Sequence, residues 1–224
     1  MIIQVNATHP SAYQLDRLIT YLNDDGVLAI PTDTTYALAC LPTKKNALNK
    51  LMKLRQLDPK KALALVFSSI KHVSQHTLMD DLSFRILKRY LPGPYCFILE
   101  ANRQLPKTIG DKRKRVGVRI PNHPLPIALV EAVGSPLIVT STVDPESKIM
   151  AHDPWTVEDI FGHGLAAVVD AGLVLGEKPW WTLSRCRCRI GLERKTVVDL
   201  TRPEPAILRR VLVNLRQKAA QLVP

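Results

Sequence analysis

The sequence predicts an α/β protein in which helices flank a twisted, mixed β-sheet. Short apolar segments typical of buried strands alternate along the chain with segments whose apolar residues recur at helical spacing. No Gly/Ser-rich or Pro-rich linker divides the 224 residues, and 46% of them are hydrophobic, which is ample for one core. We therefore predict a single domain over residues 1–224 with a largely buried sheet.

The predicted strands are short runs rich in Val, Ile, Leu and Ala. They cover residues 2–5, 27–30, 37–41, 62–67, 95–99, 116–120, 137–140 and 166–169. Runs of four to six apolar residues bounded by polar or turn-forming residues are typical of strands buried on both faces.

The predicted helices show apolar residues at spacings of three and four. The first covers residues 11–23, where Leu15, Leu18 and Leu22 form one face and Gly26 follows as the stop signal. Three more are predicted at 47–55, at 81–91, where a Pro-Gly-Pro sequence ends the helix, and at 125–132. Apolar residues spaced from Ile207 to Leu222 predict an amphipathic helix at the C-terminus.

A polar turn interrupts the apolar sequence between residues 27 and 41. Pro31 ends the first strand, and Thr32, Asp33, Thr34 and Thr35 follow before the apolar residues resume. Polar side chains at the end of a strand are where open α/β sheets usually bind ligands. The alternative is a threonine-rich turn that only satisfies its own backbone.

The charge balance favours an anionic partner. Lysine and arginine number 31 against 20 aspartate and glutamate residues, a formal net charge of +11. Nucleic acid, a nucleotide phosphate or an acidic surface would suit this excess, although dispersed charge that only aids solubility is the alternative. No apolar run approaches the roughly 20 residues that span a bilayer, and no signal-peptide pattern is present, so we expect a cytoplasmic protein without membrane association. The four cysteines are interpreted as reduced thiols.

Three groups of residues are candidates for binding chemistry. Lys53 and Arg55, followed by Lys60 and Lys61, could hold a triphosphate, although solvated lysines at a helix end are a common alternative. Arg119 lies within an apolar strand, where a buried guanidinium requires an anion such as a carboxylate. Residues 140–142, Thr-Ser-Thr, place hydroxyl groups at the end of another strand.

Several familiar motifs are absent or in the wrong context. The sequence has no P-loop, and residues 162–167 match a dinucleotide-binding fingerprint only loosely, before a strand instead of after one. His72 and His76 are spaced as on one helix face, but without the glutamate and third ligand of a zinc protease we interpret them as surface histidines. No nucleophile-elbow sequence suggests covalent catalysis.

Six motifs, in this order and spacing, make the chain resemble the YrdC family. They are PTDTTYALAC, KLR with KKALAL, PGPYCFIL, VGVRIPNHP, IVTS, and KTVVDL followed by ILR, and the resemblance covers about residues 2–209. The YciO-like branch is the most similar. Its members also depart from the usual form at the motif that most of the family has as S-A-N and this chain has as S-T-V, at residues 141–143. The resemblance implies a twisted α/β sheet with a basic concave cleft.

The resemblance also implies an activity, the synthesis of threonylcarbamoyl-AMP. The substrates are L-threonine, bicarbonate and ATP with Mg²⁺, pyrophosphate is released, and the product serves the threonylcarbamoyladenosine modification of tRNA. The residues implied to bind threonine are Thr32, Tyr36, Arg119, Thr140 and Thr196. Those implied to bind ATP are Lys53, Arg55, Lys61, Ser141 and Arg209. Catalysis would rest on positioning and charge neutralisation, with no catalytic protein nucleophile and no protein-bound metal.

The chain departs from the family pattern in several places, among them Ala62 where the family usually has proline, Lys195 where it has serine and Arg210 where it has glycine; two further departures bear on function. Where the synthases usually have S-A-N, it has Ser141, Thr142 and Val143, so the asparagine that helps hold the nucleotide is missing. A basic insertion at about residues 177–195, with two tryptophans among arginines, could stack on and grip single-stranded RNA, or could be a packed surface hairpin. The alternative function is therefore a nucleotide- or double-stranded-RNA-binding protein of the YciO type without synthase activity.

Overall fold

A computed structural model describes residues 1–6, 8–58, 63–105, 115–174, 196–201 and 206–209. Its centre is one mixed sheet, which confirms the predicted fold class. The described strands are β1 (Ile2–Gln4), β2 (Leu28–Pro31), β3 (Tyr36–Cys40), β4 (Ala64–Val66), β5 (Thr77–Leu78), β6 (Tyr95–Ala101), β7 (Arg115–Arg119), β8 (Leu137–Ser141), β9 (Ala167–Asp170), β10 (Thr196–Asp199) and β11 (Ala206–Arg209). They pair in the order β1-β9-β2-β3-β8-β4-β7-β6-β10-β11, and β5 pairs with β6.

Helices cover both faces of this sheet. They are α1 (Ala12–Asn23), α2 (Lys45–Leu54), α3 (Ile70–His76), α4 (Asp81–Tyr90), α5 (Pro124–Val133) and α6 (Pro154–Phe161), and a short 3₁₀ helix, Gly162–Gly164, follows α6. The buried residues of α1 and α5 share one apolar cluster with alternate residues of β2 and β3. Those of α2, α3, α4 and α6 share the cluster on the opposite face.

Local sequence explains where several helices begin and end. Ser11 and Gln14 form a capping box at the start of α1, and the Asp80 side chain accepts a hydrogen bond from the Ser83 amide at the start of α4. Gly134 ends α5 in the left-handed conformation, with φ of 69°. These signals are local, so the sequence alone located α1, α4 and α5 well.

The C-terminal helix prediction is wrong where it begins. Residues Ala206–Arg209 form strand β11, which pairs antiparallel with β10, Asp199 facing Ala206 and Val197 facing Arg209. One edge of β10 pairs with β6, and its other edge would be open without β11. Pairing at that edge satisfies the backbone groups of residues 206–209, which a helix would satisfy internally. Pairing with the preceding strand β10 therefore overrides the helical spacing of Ile207 and Leu208, while the remainder of the predicted helix lies outside the described residues.

The sequence predicted that His72 and His76 are surface histidines, and the structure shows instead that both are partly buried on α3. The His72 and His76 rings are half-buried, with ring centroids 5.0 Å apart, and both contact the buried Phe67 ring. Helix α3 itself was not predicted, because its seven residues contain too few apolar positions for a helical period to show.

The pairing register places Arg119 and the turn between β2 and β3 at opposite ends of the sheet along the strand direction. Arg119 faces Val66, and Val66 faces Leu137 at the start of β8. The end of β8 lies next to the turn, since Ser141 faces Ala37. The two features are thus diagonal corners of the sheet formed by β3, β8, β4 and β7, and the twist of a sheet raises such corners above the same face.

Candidate functional site

The turn between β2 and β3 satisfies most of its own polar groups. The Thr32 hydroxyl donates to the Thr35 carbonyl at 2.6 Å and accepts from the amides of Thr34 and Thr35, both at 3.4 Å. The Thr35 hydroxyl donates to the Ala151 carbonyl at 2.8 Å. The Thr32 hydroxyl thus donates its one proton within the turn and already accepts from two amides of the turn, so its role here is to hold the turn in shape.

Arg119 reaches this turn from the end of β7. Its Nη2 atom forms a salt bridge with Asp33 and donates to the hydroxyls of Thr34 at 2.9 Å and Thr32 at 3.3 Å. Only 1% of the arginine is exposed. The structure therefore supplies from within the chain the anion that a buried strand arginine requires, and brings together Thr32 and Arg119, two of the predicted substrate residues.

Two of the three guanidinium nitrogens of Arg119 remain without a partner among the described residues. Nε and Nη1 are buried and make no hydrogen bond there. A buried donor of a charged group that lacks a partner carries a substantial desolvation cost, so such groups are normally paired with protein, water or ligand. Nη1 lies on the Cδ side of the guanidinium and the Nε–H bond points to the other side, so an oxyanion such as a carboxylate could accept from either nitrogen but not from both at once.

Asp33 is the functional residue that the sequence interpretation left without a role. One of its oxygens pairs with Arg119, and the other accepts from the amide of Asn122 at 3.3 Å. It thereby joins the turn to the segment between β7 and α5. A signal was present, since an aspartate in a polar turn is the obvious partner for an arginine buried elsewhere, but the sequence did not show that the two meet.

Tyr36 is buried beside the turn, and its hydroxyl is fully engaged. It donates to the Gly172 carbonyl at 2.9 Å and accepts from the Ala171 amide at 3.1 Å. Burial raises the pKa of Tyr36 to about 12, although the Ala171 hydrogen bond opposes this rise. The structure gives Tyr36 the role of holding the segment after β9, and its predicted contact with the substrate stays a prediction.

The predicted nucleotide residues at the end of α2 lie in contrasting environments. Lys53 is exposed, whereas Arg55 is only 8% exposed and its Nη1 atom donates to the carbonyl of Val143. Burial lowers the pKa of Arg55, and the nearby charge of Asp144 acts in the opposite direction. Arg55 thus connects α2 to residues 141–143, the segment that stands where the synthases usually have S-A-N. Of this pair only Lys53 extends a charge into solvent.

Thr140 and Ser141 are both half-buried at the end of β8, and successive strand residues point to opposite faces. Ser141 shares its face with Arg119, whereas Thr140 lies across from Leu38 on the other face. By this alternation the face that carries Arg119 includes Ser141, predicted for the nucleotide, and excludes Thr140, predicted for threonine. Thr142, the third member of the predicted 140–142 group, is buried, and its hydroxyl makes a shared hydrogen bond to the carbonyls of Tyr36 and Ala151, both at 3.0 Å.

For two of the remaining predicted residues the structure gives the strand position of the backbone, and the third lies outside the described residues. Thr196 begins β10 opposite Tyr95, and Arg209 ends β11 opposite Val197. Lys61, like the insertion at 177–195, lies outside the described residues. Arg115, at the other end of β7 from Arg119, forms a salt bridge of 3.8 Å with the buried Asp199.

Neither of the two described cavities involves Arg119. One of about 710 Å³ lies between α3, α4 and the β5–β6 pair, and one of about 500 Å³ lies beside the ends of β1 and β9. Over the described part of the chain there is no cluster of three or more residues suited to holding a metal. No helix in that part is long and apolar enough to cross a membrane.

Comparison with known proteins gives consistent matches. The family model Sua5_yciO_yrdC, described as "Telomere recombination", matches residues 20–211. The chain is 30% identical to Escherichia coli YciO over 206 residues, 92% of either chain, and 31% identical to the threonylcarbamoyl-AMP synthase of Marinobacter nauticus over 78% of this chain and 92% of that one. The E. coli YciO protein is described as uncharacterized.

Solved structures match over nearly the whole chain. The crystal structure of E. coli YciO has a TM-score of 0.83 at 27% identity, covering 96% of this chain and 98% of that one. The structure of P. abyssi Sua5 complexed with L-threonine has a TM-score of 0.81 at 21% identity, covering all of this chain and 61% of the other. At that identity the Sua5 likeness concerns the fold.

Proposed function

The chain belongs to the Sua5–YciO–YrdC family, and on that premise we propose that it synthesises threonylcarbamoyl-AMP from L-threonine, bicarbonate and ATP. In this reaction the amino nitrogen of threonine bonds to the carbon of bicarbonate with loss of water. An oxygen of the resulting carbamate then displaces pyrophosphate from the α-phosphorus of ATP. The product would serve tRNA threonylcarbamoyladenosine modification in the cytoplasm. Threonylcarbamoyl-AMP synthases among the relatives and the threonine complex of P. abyssi Sua5 support this choice of substrates.

The observation that carries the proposal is the buried Arg119 with two unpartnered nitrogens. A carboxylate of threonine that accepts from Nη1 or from Nε would satisfy that donor, and a second polar group of the ligand or water would satisfy the other. Thr32 would contribute by holding Arg119 through its hydrogen bond with Nη2.

Mg²⁺ would enter the reaction with ATP as part of the substrate. Lys53 is the exposed cation available for its phosphates, with Lys61, Ser141 and Arg209 as further proposed contacts. The protein would contribute by holding the reacting groups together and neutralising phosphate charge, with no covalent intermediate on a side chain.

The test is pyrophosphate release from MgATP and bicarbonate, measured with and without L-threonine. We expect release that depends on threonine in the natural protein, loss of at least about 100-fold in Arg119→Ala, and little change in Arg17→Ala, which removes an exposed arginine of α1. Release without threonine dependence, or equal release by Arg119→Ala, would contradict the proposal.

A second candidate function is binding of a nucleotide or double-stranded RNA without synthesis. Two observations favour it: Arg55 is already bonded to the Val143 carbonyl, and the net charge is +11. Contacts with RNA phosphates release counterions, so the logarithm of the affinity for a duplex RNA should fall linearly with the logarithm of the salt concentration. Salt-independent binding, or a failure to bind duplex RNA at low salt, would eliminate the RNA form of this candidate.

A further inference from the structure

Asp33 holds Arg119 in one orientation. The Asp33 carboxylate pairs with Nη2, and its second oxygen accepts from the Asn122 amide, so the carboxylate is itself fixed from two sides. The other acceptors of Nη2 are the neutral hydroxyls of Thr32 and Thr34. Hydrogen bonds between charged groups are roughly twice as strong as neutral ones, so Asp33 is the dominant restraint on the guanidinium. With Nη2 held in this way, Nε and Nη1 are the donors left over for a ligand.

The same contact removes the net charge of the site. The Arg119 side chain is 1% exposed and that of Asp33 is 9% exposed, so water screens neither of them well. Asp33 raises the pKa of His123, but burial is the larger effect and lowers that pKa, which leaves the imidazole uncharged at neutral pH. Arginine and aspartate together therefore present a nearly neutral pair.

A neutral buried pair discriminates between ligands by their net charge. A simple carboxylate on Nη1 or Nε would leave one uncompensated negative charge in a poorly hydrated place, which is unfavourable. An amino acid carries its own ammonium group, so its carboxylate can take the same position without adding net charge.

We propose that Asp33 is a positioning and specificity-determining residue, which orients Arg119 through Nη2 and makes the site select amino acid zwitterions over carboxylates that lack an amine. The proposal rests on the proposed function in taking L-threonine as the ligand. It adds the criterion by which a basic protein with a net charge of +11 excludes the many small anions around it.

The test compares binding of L-threonine with that of 3-hydroxybutanoate, the same carbon chain without the amine, by titration calorimetry on the full chain. The natural protein should prefer threonine by about tenfold or more, and Asp33→Asn should reduce this preference by roughly tenfold, the equivalent of one charged hydrogen bond. Thr34→Val, which removes a neutral contact to the same nitrogen, should weaken both ligands and keep their ratio. Asp159→Asn makes the same change of charge at an exposed position of α6 and should leave binding unchanged.

A second measurement follows the orientation of Arg119 without any ligand. The Nε–H proton of Arg119, observed by ¹⁵N NMR, should exchange with water at least about fivefold faster in Asp33→Asn than in the natural protein or in Asp159→Asn, because the guanidinium loses its charged restraint. An unchanged exchange rate would overturn the positioning role. An unchanged ratio of the two ligands in Asp33→Asn would overturn the specificity role.

The two proposals can fail separately. Pyrophosphate release that requires threonine, together with an unaltered ligand ratio in Asp33→Asn, would leave the synthase standing and remove the inference about Asp33. Discrimination between the two ligands without pyrophosphate release would do the reverse. A natural protein that binds neither ligand would overturn both.

Discussion

Lys53 and Arg55 are separated by one residue, yet their side chains lie in different environments. Lys53 is exposed at the end of α2, while Arg55 is buried and donates to the Val143 carbonyl. From the sequence both belong to one cationic cluster suited to a triphosphate. Which member of such a cluster is buried depends on the loop that packs over it, here the one that follows β8, and no local signal contains that information.

Substitution of these two residues should separate a structural role from a nucleotide role. Arg55→Ala should lower the free energy of unfolding by about 1–3 kcal/mol, because the Val143 carbonyl loses its charged donor inside the protein. Lys53→Ala should change stability by less than about 0.5 kcal/mol, as exposed substitutions usually do, while raising the KM for ATP. Urea titrations and pyrophosphate assays of both variants would check this, and equal stability of the two would contradict it.

Tyr36 offers a similar prediction for the segment after β9. Tyr36→Phe leaves the Gly172 carbonyl and the Ala171 amide without the hydroxyl that joins them, so we expect a loss of about 1–3 kcal/mol in stability. Hydrogen exchange at Ala171 and Gly172 should rise selectively. If Tyr36 contacted only the substrate, the variant would instead retain full stability and its exchange pattern and lose only affinity for threonine.

Among the elements, those with strong local signals were predicted well from sequence. Helices α1, α4 and α5 have apolar spacing together with caps or stop residues, and the apolar strands through the centre of the sheet were recognised by composition. The sequence predicted no element at α3, α6, β5 or β10, which have eight residues or fewer and are too short to show a clear period. It predicted a helix at β11, whose helical spacing is overridden by pairing with β10.

Helix α3 carries a pH-sensitive residue, His72. Burial, and to a lesser extent the charge of His76, lower the pKa of His72 below its ordinary value of 6.5. The unfolded chain therefore binds a proton more readily than the folded one, so this contribution to stability is complete above about pH 6.5 and is lost as the pH falls through the lower pKa of the folded state.

The corresponding experiment measures unfolding by urea between pH 7.5 and 5. We expect His72→Gln to lose less stability over this range than the natural protein, because glutamine has no proton to take up. His9→Gln, a change at an exposed histidine, is the matched control and should follow the natural protein. Parallel curves for His72→Gln and the natural protein would show that the acid sensitivity lies elsewhere.

In the molecule as a whole, the site joins parts of strands that are not neighbours in the sheet. Arg119 comes from β7, and the turn that it contacts lies between β2 and β3. The sequence indicated that Thr32 and Arg119 are both functional, and that a buried arginine needs a carboxylate. It could not show that Asp33 supplies one, since the register sets the turn and Arg119 at opposite ends of the sheet. The two meet only in the assembled sheet, where Arg119 contacts Asp33, Thr32 and Thr34 of the turn.

A ligand that satisfies a site formed by distant strands should stabilise the entire fold, because unfolding separates its parts. Threonine at 100 times its dissociation constant should add about 2.7 kcal/mol to the free energy of unfolding. For a chain of this length that corresponds to a rise in Tm of roughly 5–10 °C, measurable by calorimetry. Arg119→Ala should abolish the rise and Arg17→Ala should retain it. A rise of equal size in Arg119→Ala would mean that threonine binds away from the turn, whereas its loss there alone would tie the stability of the sheet to the ligand of Arg119.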